Sequence, residues 1–180
     1  MMGQKNKAIK DAALIAVCAA ILFVQQYALS FLPNVQATVL LLVIYTKMLG
    51  FKKSVFIIVI HVIVYNILAP FGPVLPLHLV SMTFGYLLIP LLLSTLFKRV
   101  NSVLGLALFG FFHGFLYGWS FIPITLFVLD IPFFEYFLLD LPYEFIMAIS
   151  SFLTIFWLYD PLMRLFKDQL NHYYGTKQLP

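Results

Sequence analysis

Residues 11–20 read DAALIAVCAA and open the first long apolar run of the chain. Ala12, Ala16 and Ala20 recur every four residues, so on a helix they form one stripe. Ala13 and Ala19 flank it, while Leu14, Ile15 and Val17 cover the rest of the surface. A helix face almost without side chains lets another backbone approach closely. In lipid, such faces drive helix association. The stretch therefore predicts a membrane helix with a smooth side, packed either on the chain's own helices or on another protein.

Composition carries this reading to the whole chain. Of 180 residues, 63% are hydrophobic and 10% are charged, and the mean hydropathy is +1.00. A water-soluble domain carries about 25% charged residues, so most of this chain belongs in a bilayer. No polar segment is long enough for a second domain, and residues 1–180 are expected to form a single integral-membrane unit. Cys18, the one cysteine, lies inside the apolar run and reads as a small buried hydrophobe. Lys5, Lys7 and Lys10 ahead of that run imitate a secretory signal, but the run continues to Leu32. That suits a retained spanning helix.

A span needs roughly 20 apolar residues to cross about 30 Å of hydrocarbon. Six segments qualify or nearly do: Asp11–Leu32, Val35–Leu49, Ser54–Ala69, Leu77–Phe97, Val103–Leu129 and Leu138–Tyr159. The eleven Lys and Arg fall before the first span, at Lys47–Lys53, at Lys98–Arg99 and beyond Asp160. The other connections contain none. By the positive-inside rule both termini face the cytoplasm. The expected fold is an all-α membrane protein, a single bundle of six transmembrane helices, N-in and C-in, multi-pass in a prokaryotic plasma membrane. Lys47 is expected to snorkel towards the headgroups. The basic residues do not interleave with exposed aromatics, so nucleic-acid binding is not expected.

Polar residues recur at membrane depth. Gly110, Gly114 and Gly118 line the fifth span beside His113 and Tyr117, and their ordinary role is packing inside the bundle. The third span offers His61, Tyr65 and Asn66, and the fourth His78, Met82 and Tyr86. Asp140, Glu144, Ser151 and Thr154 descend one side of the sixth. Such stripes face inward or line a cavity. Most lie in the outer half, which predicts a cavity open to the outside. Asp140 and Glu144, near a helix end, read as solvated caps or ligand contacts. The segment DIPFFEYFLLDLPYE is too apolar for a free loop and should fold over the cavity mouth. The prolines of residues 70–76 suggest a stiff cap. Candidate ligand contacts are Asn34, Gln36, His78, Tyr86, His113, Tyr117, Glu135, Tyr143 and Glu144.

Catalytic signatures are missing. There is no Walker loop, no H-E-x-x-H and no G-x-S-x-G. His61, His78 and His113 fall on three spans without ligand spacing, so neither a metal site nor a catalytic residue is expected. The chain reads as a non-enzyme without a cofactor.

With this size, six spans, cytoplasmic ends and the pattern Ala12-Ala13-Leu14-Ile15-Ala16 continued to Ala20, the chain resembles the substrate-binding S component of an energy-coupling factor (ECF) vitamin transporter. The runs FLPNVQATVLLLVIYTKMLG and DLPYEF look most like S components of the cobalamin-transporting kind. The resemblance implies a vitamin pocket that opens outward. It implies docking on a transmembrane coupling subunit through small-residue faces such as Ala12, Ala16 and Ala20. It also implies two cytoplasmic ATPases that bind all the ATP. The outer half holds no Lys or Arg to pair with an anionic vitamin, which disfavours pantothenate and folate. Riboflavin, a pyridoxine-type vitamin and a queuosine precursor stay open beside a corrinoid. The competing class is a self-sufficient secondary transporter, although no repeat between residues 1–90 and 91–180 supports it.

Overall fold

The computed structural model describes residues 2–68 and 76–175, with side chains from residue 6 onward. The elements are α1 (Met2–Ala28), α2 (Thr38–Ile67), α3 (Pro76–Ser94), α4 (Val103–Trp119), α5 (Ile122–Leu129) and α6 (Phe133–Tyr174), with no strand among the described residues. Five stretches are long and apolar enough to cross a membrane: Asn6–Ala28, Thr38–Ile67, Pro76–Ser94, Val103–Leu129 and Phe133–Tyr174. Large apolar side chains such as Phe84, Phe112, Phe127 and Trp157 stand on the outside. Such a surface is consistent with a multi-pass membrane protein.

The course of α2 decides how the bundle is built. A straight helix of its length would hold Thr38 and His61 about 35 Å apart. Yet Gln25 Nε2 donates to Thr38 Oγ1 at 2.6 Å, and the next residue, Gln26, places Oε1 2.9 Å from His61 Nε2. Tyr86 likewise reaches both, with its hydroxyl 3.4 Å from Gln36 and its ring centre 6.0 Å from that of His61. The chain therefore doubles back inside α2. It does so at Gly50, whose φ of 80° and ψ of 174° interrupt the helix. Only glycine visits that region without strain. The two arms, 38–49 and 51–67, run antiparallel.

The reversal leaves one end of the bundle rich in lysine. There Lys53 pairs with Asp11 at 2.7 Å, Tyr174 donates to the same carboxylate, and Lys10 meets Tyr173. Lys47, expected to snorkel towards the headgroups, reaches the α3–α4 turn at this end. Its ammonium donates to the carbonyls of Val100 and Lys98 and to Asn101 Oδ1, at 2.6, 3.3 and 3.1 Å. All three of its N–H groups hold the α3–α4 turn to the end of the first arm.

Several boundaries move. α1 stops at Ala28, and residues 29–32 form turns where the first span was expected to continue to Leu32. Residues 130–144 were expected to connect the fifth and sixth spans by folding back over the mouth. Instead α6 already begins at Phe133, because Pro132 suits the residue before a helix and the prolines inside it do not end it. α6 runs on to Tyr174, past the expected Tyr159, with Pro142 and Pro161 each deleting one ladder bond. The expected cap at residues 70–76 lies outside the described residues, apart from Pro76, which opens α3.

The tightest seam joins α4 to α6. A Cβ on Gly110 would lie 2.5 Å from Ile155 Cδ1, and one on Gly114 would lie 2.6 Å from the backbone N and Cα of Ala148. One on Gly118 would meet the Glu144 carboxyl at 2.6 Å. The glycine row is thus an internal packing face, and it brings the two backbones together along two turns.

Candidate functional site

At the end of the bundle remote from the lysines, the α1–α2 connection arches over a half-open cavity of about 400 Å³. Gln26, Ser30, Asn34, Gln36 and Tyr65 supply its polar lining, and Leu29, Phe31, Leu32, Pro33 and Val35 the apolar part. No Lys, Arg, Asp or Glu lines it. The connection is held open by Asn34, which adopts the left-handed conformation (φ 60°) and donates from Nδ2 to the Tyr143 carbonyl at 3.0 Å. Asparagine is among the few residues that tolerate this conformation.

Gln36 forms the floor. It is buried, and its backbone exchanges hydrogen bonds with Ser150 Oγ: the amide donates at 3.1 Å and the carbonyl accepts at 3.3 Å. Its side-chain Oε1 accepts from Thr38 Oγ1 at 2.8 Å and from the Tyr86 hydroxyl at 3.4 Å. Its amide nitrogen meets only Met147 Sδ, at 3.9 Å. A sulfur at that distance is a weak acceptor. The Gln36 side-chain amide is thus only weakly engaged as a donor.

Behind Gln36 an aromatic column enters the bundle. Ring centres are 4.6 Å apart for Tyr86 and Tyr117, 5.2 Å for Tyr117 and Phe121, and 5.8 Å for Phe121 and His78. Gly85 makes the close approach possible, since a Cβ there would lie 2.7 Å from the Tyr117 ring. His113 is fully buried next to Tyr117 and donates from Nε2 to the Gly85 carbonyl at 3.0 Å. That bond ties α4 to α3 and gives His113 a packing role.

The structure thus brings Gln36, Tyr86, His113, Tyr117 and, through Phe121, His78 into one connected set. Asn34 and Tyr143 meet at the rim, where the half-exposed Tyr143 contributes its carbonyl. Glu135 is exposed on the first turn of α6. Glu144 corrects the expectation of a solvated helix-end carboxylate. It is 3% exposed, rests on Gly118, and neither carboxyl oxygen has a hydrogen-bond partner, although the Trp119 indole is adjacent. It points at α4, where the glycine row leaves room for it.

The candidate set from sequence lacks Gln25, Gln26 and Ser150, which position the floor. Gln25 donates to Thr38 and accepts from the Ala37 amide at 2.9 Å. A Gln-Gln pair inside an otherwise apolar run was the available signal. Ser150 follows an isoleucine in a Ser-Ser pair and had no such mark. The alanine stripe lies elsewhere: Ala12, Ala16 and Ala20 are exposed, while Cys18, Ala19 and Leu22 on the other side of α1 are buried. Among the described residues no three His, Cys, Asp or Glu side chains come together as metal ligands. No family model, curated protein or solved structure matches the chain.

Proposed function

We propose that this chain is the substrate-binding membrane subunit, the S component, of an ECF-type ATP-driven vitamin importer. The observation that carries the reading is the pairing of a half-open cavity lined by neutral amides and hydroxyls with a bare alanine stripe on the outside of α1. The cavity can hold a small uncharged polar molecule, and the stripe can receive another helix. Counting the arms of α2 separately, and α4 with α5, gives six crossings. With the lysine-rich end inside, both termini are cytoplasmic and the cavity opens outward, in the plasma membrane of a prokaryote. The ATP is bound by two partner ATPases and the movement is transmitted by a coupling subunit docked on Ala12, Ala16 and Ala20.

Side-chain amides and low net charge make cobalamin the first ligand to test, because Asn34, Gln26 and Gln36 match its amides. A volume near 400 Å³ lies towards the lower end for ligand sites. A corrinoid would therefore seat only its amide-bearing arms inside, whereas riboflavin would enter whole. The volume favours this second ligand. Mass spectrometry of the small molecule that copurifies with the chain, followed by titration of the isolated chain with cobalamin and riboflavin, tests the reading. Saturable binding of one of them is expected. Binding of neither, with no copurifying vitamin, overturns it.

A further inference from the structure

A second concavity lies at the opposite end of α1. It is a half-open groove of about 510 Å³ between α1, the first arm of α2 and the last third of α6. Val17, Cys18, Ile44, Tyr45, Leu162 and Phe166 form its apolar bed. On α1 the lining row is Ala13, Leu14, Val17, Cys18 and Ile21. Carried back by helical spacing, that row leads to Lys10 and then Lys7. The ammonium of Lys10 is already at the rim: it donates to the carbonyl of Tyr173, a lining residue, at 3.1 Å and lies 5.5 Å from that ring centre. One of its three N–H groups is thereby used. Asp11, next to Lys10 in the chain, is bound by Lys53 and Tyr174 and also attracts Lys7, leaving Lys10 the freer of the two cations.

We propose that this groove binds an anionic phospholipid of the cytoplasmic leaflet, with an acyl chain on the apolar bed and the phosphate against Lys7 and Lys10. The charge at the rim selects the occupant. An apolar trough with Lys10 at its rim and Lys7 one turn further along the same row complements a lipid whose tail ends in a negative phosphate. The alanine stripe is phased to a different side of α1, since Ala12, Ala16 and Ala20 interleave with the lining row without belonging to it. Lipid and coupling subunit can therefore be held at once. Placement in the cytoplasmic leaflet rests on the orientation given under the proposed function, but binding itself needs neither vitamin nor coupling subunit.

Native mass spectrometry of the full chain in mild detergent, with equal amounts of phosphatidylglycerol and phosphatidylcholine, tests it. Two lysines at about 1 kcal/mol each predict a preference for phosphatidylglycerol of about thirty-fold. K7Q/K10Q should reduce that preference to near one without changing phosphatidylcholine retention. Ala13→Trp, at an exposed lining position, should lower retention of both lipids. Equal retention by the wild type, a preference that survives K7Q/K10Q, or full retention by Ala13→Trp would each overturn the proposal. None of these results bears on vitamin binding, so this site and the importer reading fail separately.

Discussion

Two helices of this protein carry the same sequence device with opposite results. α4 repeats glycine at 110, 114 and 118, and α1 repeats alanine at 12, 16 and 20. The glycine row is filled: Ile155, Ala148 and Glu144 lie so close that a single added carbon at each position would collide. The alanine row is exposed. Small residues at four-residue spacing thus mark a permitted close approach without naming the partner. In α4 the partner is α6 of the same chain, and in α1 the described residues supply none. That contrast is the reason the proposed function gives the alanine face, and not the glycine row, to a coupling subunit.

Substitutions to the same residue separate the two rows. Gly114→Leu should have the largest effect, because the obstacle is the Ala148 backbone, which cannot swing aside. A loss beyond the ~3 kcal/mol typical of overpacking is expected, read as absence of a monodisperse species in detergent. Gly50→Ala should cost about 1–3 kcal/mol. No atom lies within 4 Å of the added carbon, so the cost is purely that of the backbone conformation. A lowered thermal midpoint with unchanged ligand stoichiometry would show it, and an unchanged midpoint would dispute the reversal at Gly50. Gly118→Ala meets only the Glu144 side chain, not backbone, and should cost less than Gly114→Ala in the same assay. Ala16→Leu should leave the midpoint and ligand affinity within error while abolishing assembly with the coupling subunit. Loss of ligand binding without loss of assembly would make the stripe an internal face.

Much of the fold was legible because it depends on patterns that a bilayer enforces. Apolar length, the clustering of lysines and the break between the spans ending at Leu49 and starting at Ser54 all survive, the last narrowed to Gly50 in the doubled-back α2. The last helix begins earlier than expected, at Phe133 and not Leu138, because Pro132 sits just before a helix and Pro142 is tolerated within one. The site was legible in part. Asn34 and Gln36 stood out as polar residues beside Pro33, and they shape the cavity. Glu144 did not reveal its burial, since that depends on Gly118, twenty-six residues earlier in the chain. His113 looked like a cavity residue, but its bond to the Gly85 carbonyl exists only once α3 and α4 are packed.

The central claim is that this chain binds a substrate but cannot move it unaided. The direct measurement is uptake of the copurifying vitamin, radiolabelled, into vesicles that contain the chain alone or the chain with its coupling subunit and two ATPases. Accumulation is expected only with the full set and ATP. Accumulation by the chain alone, without ATP, would contradict the account.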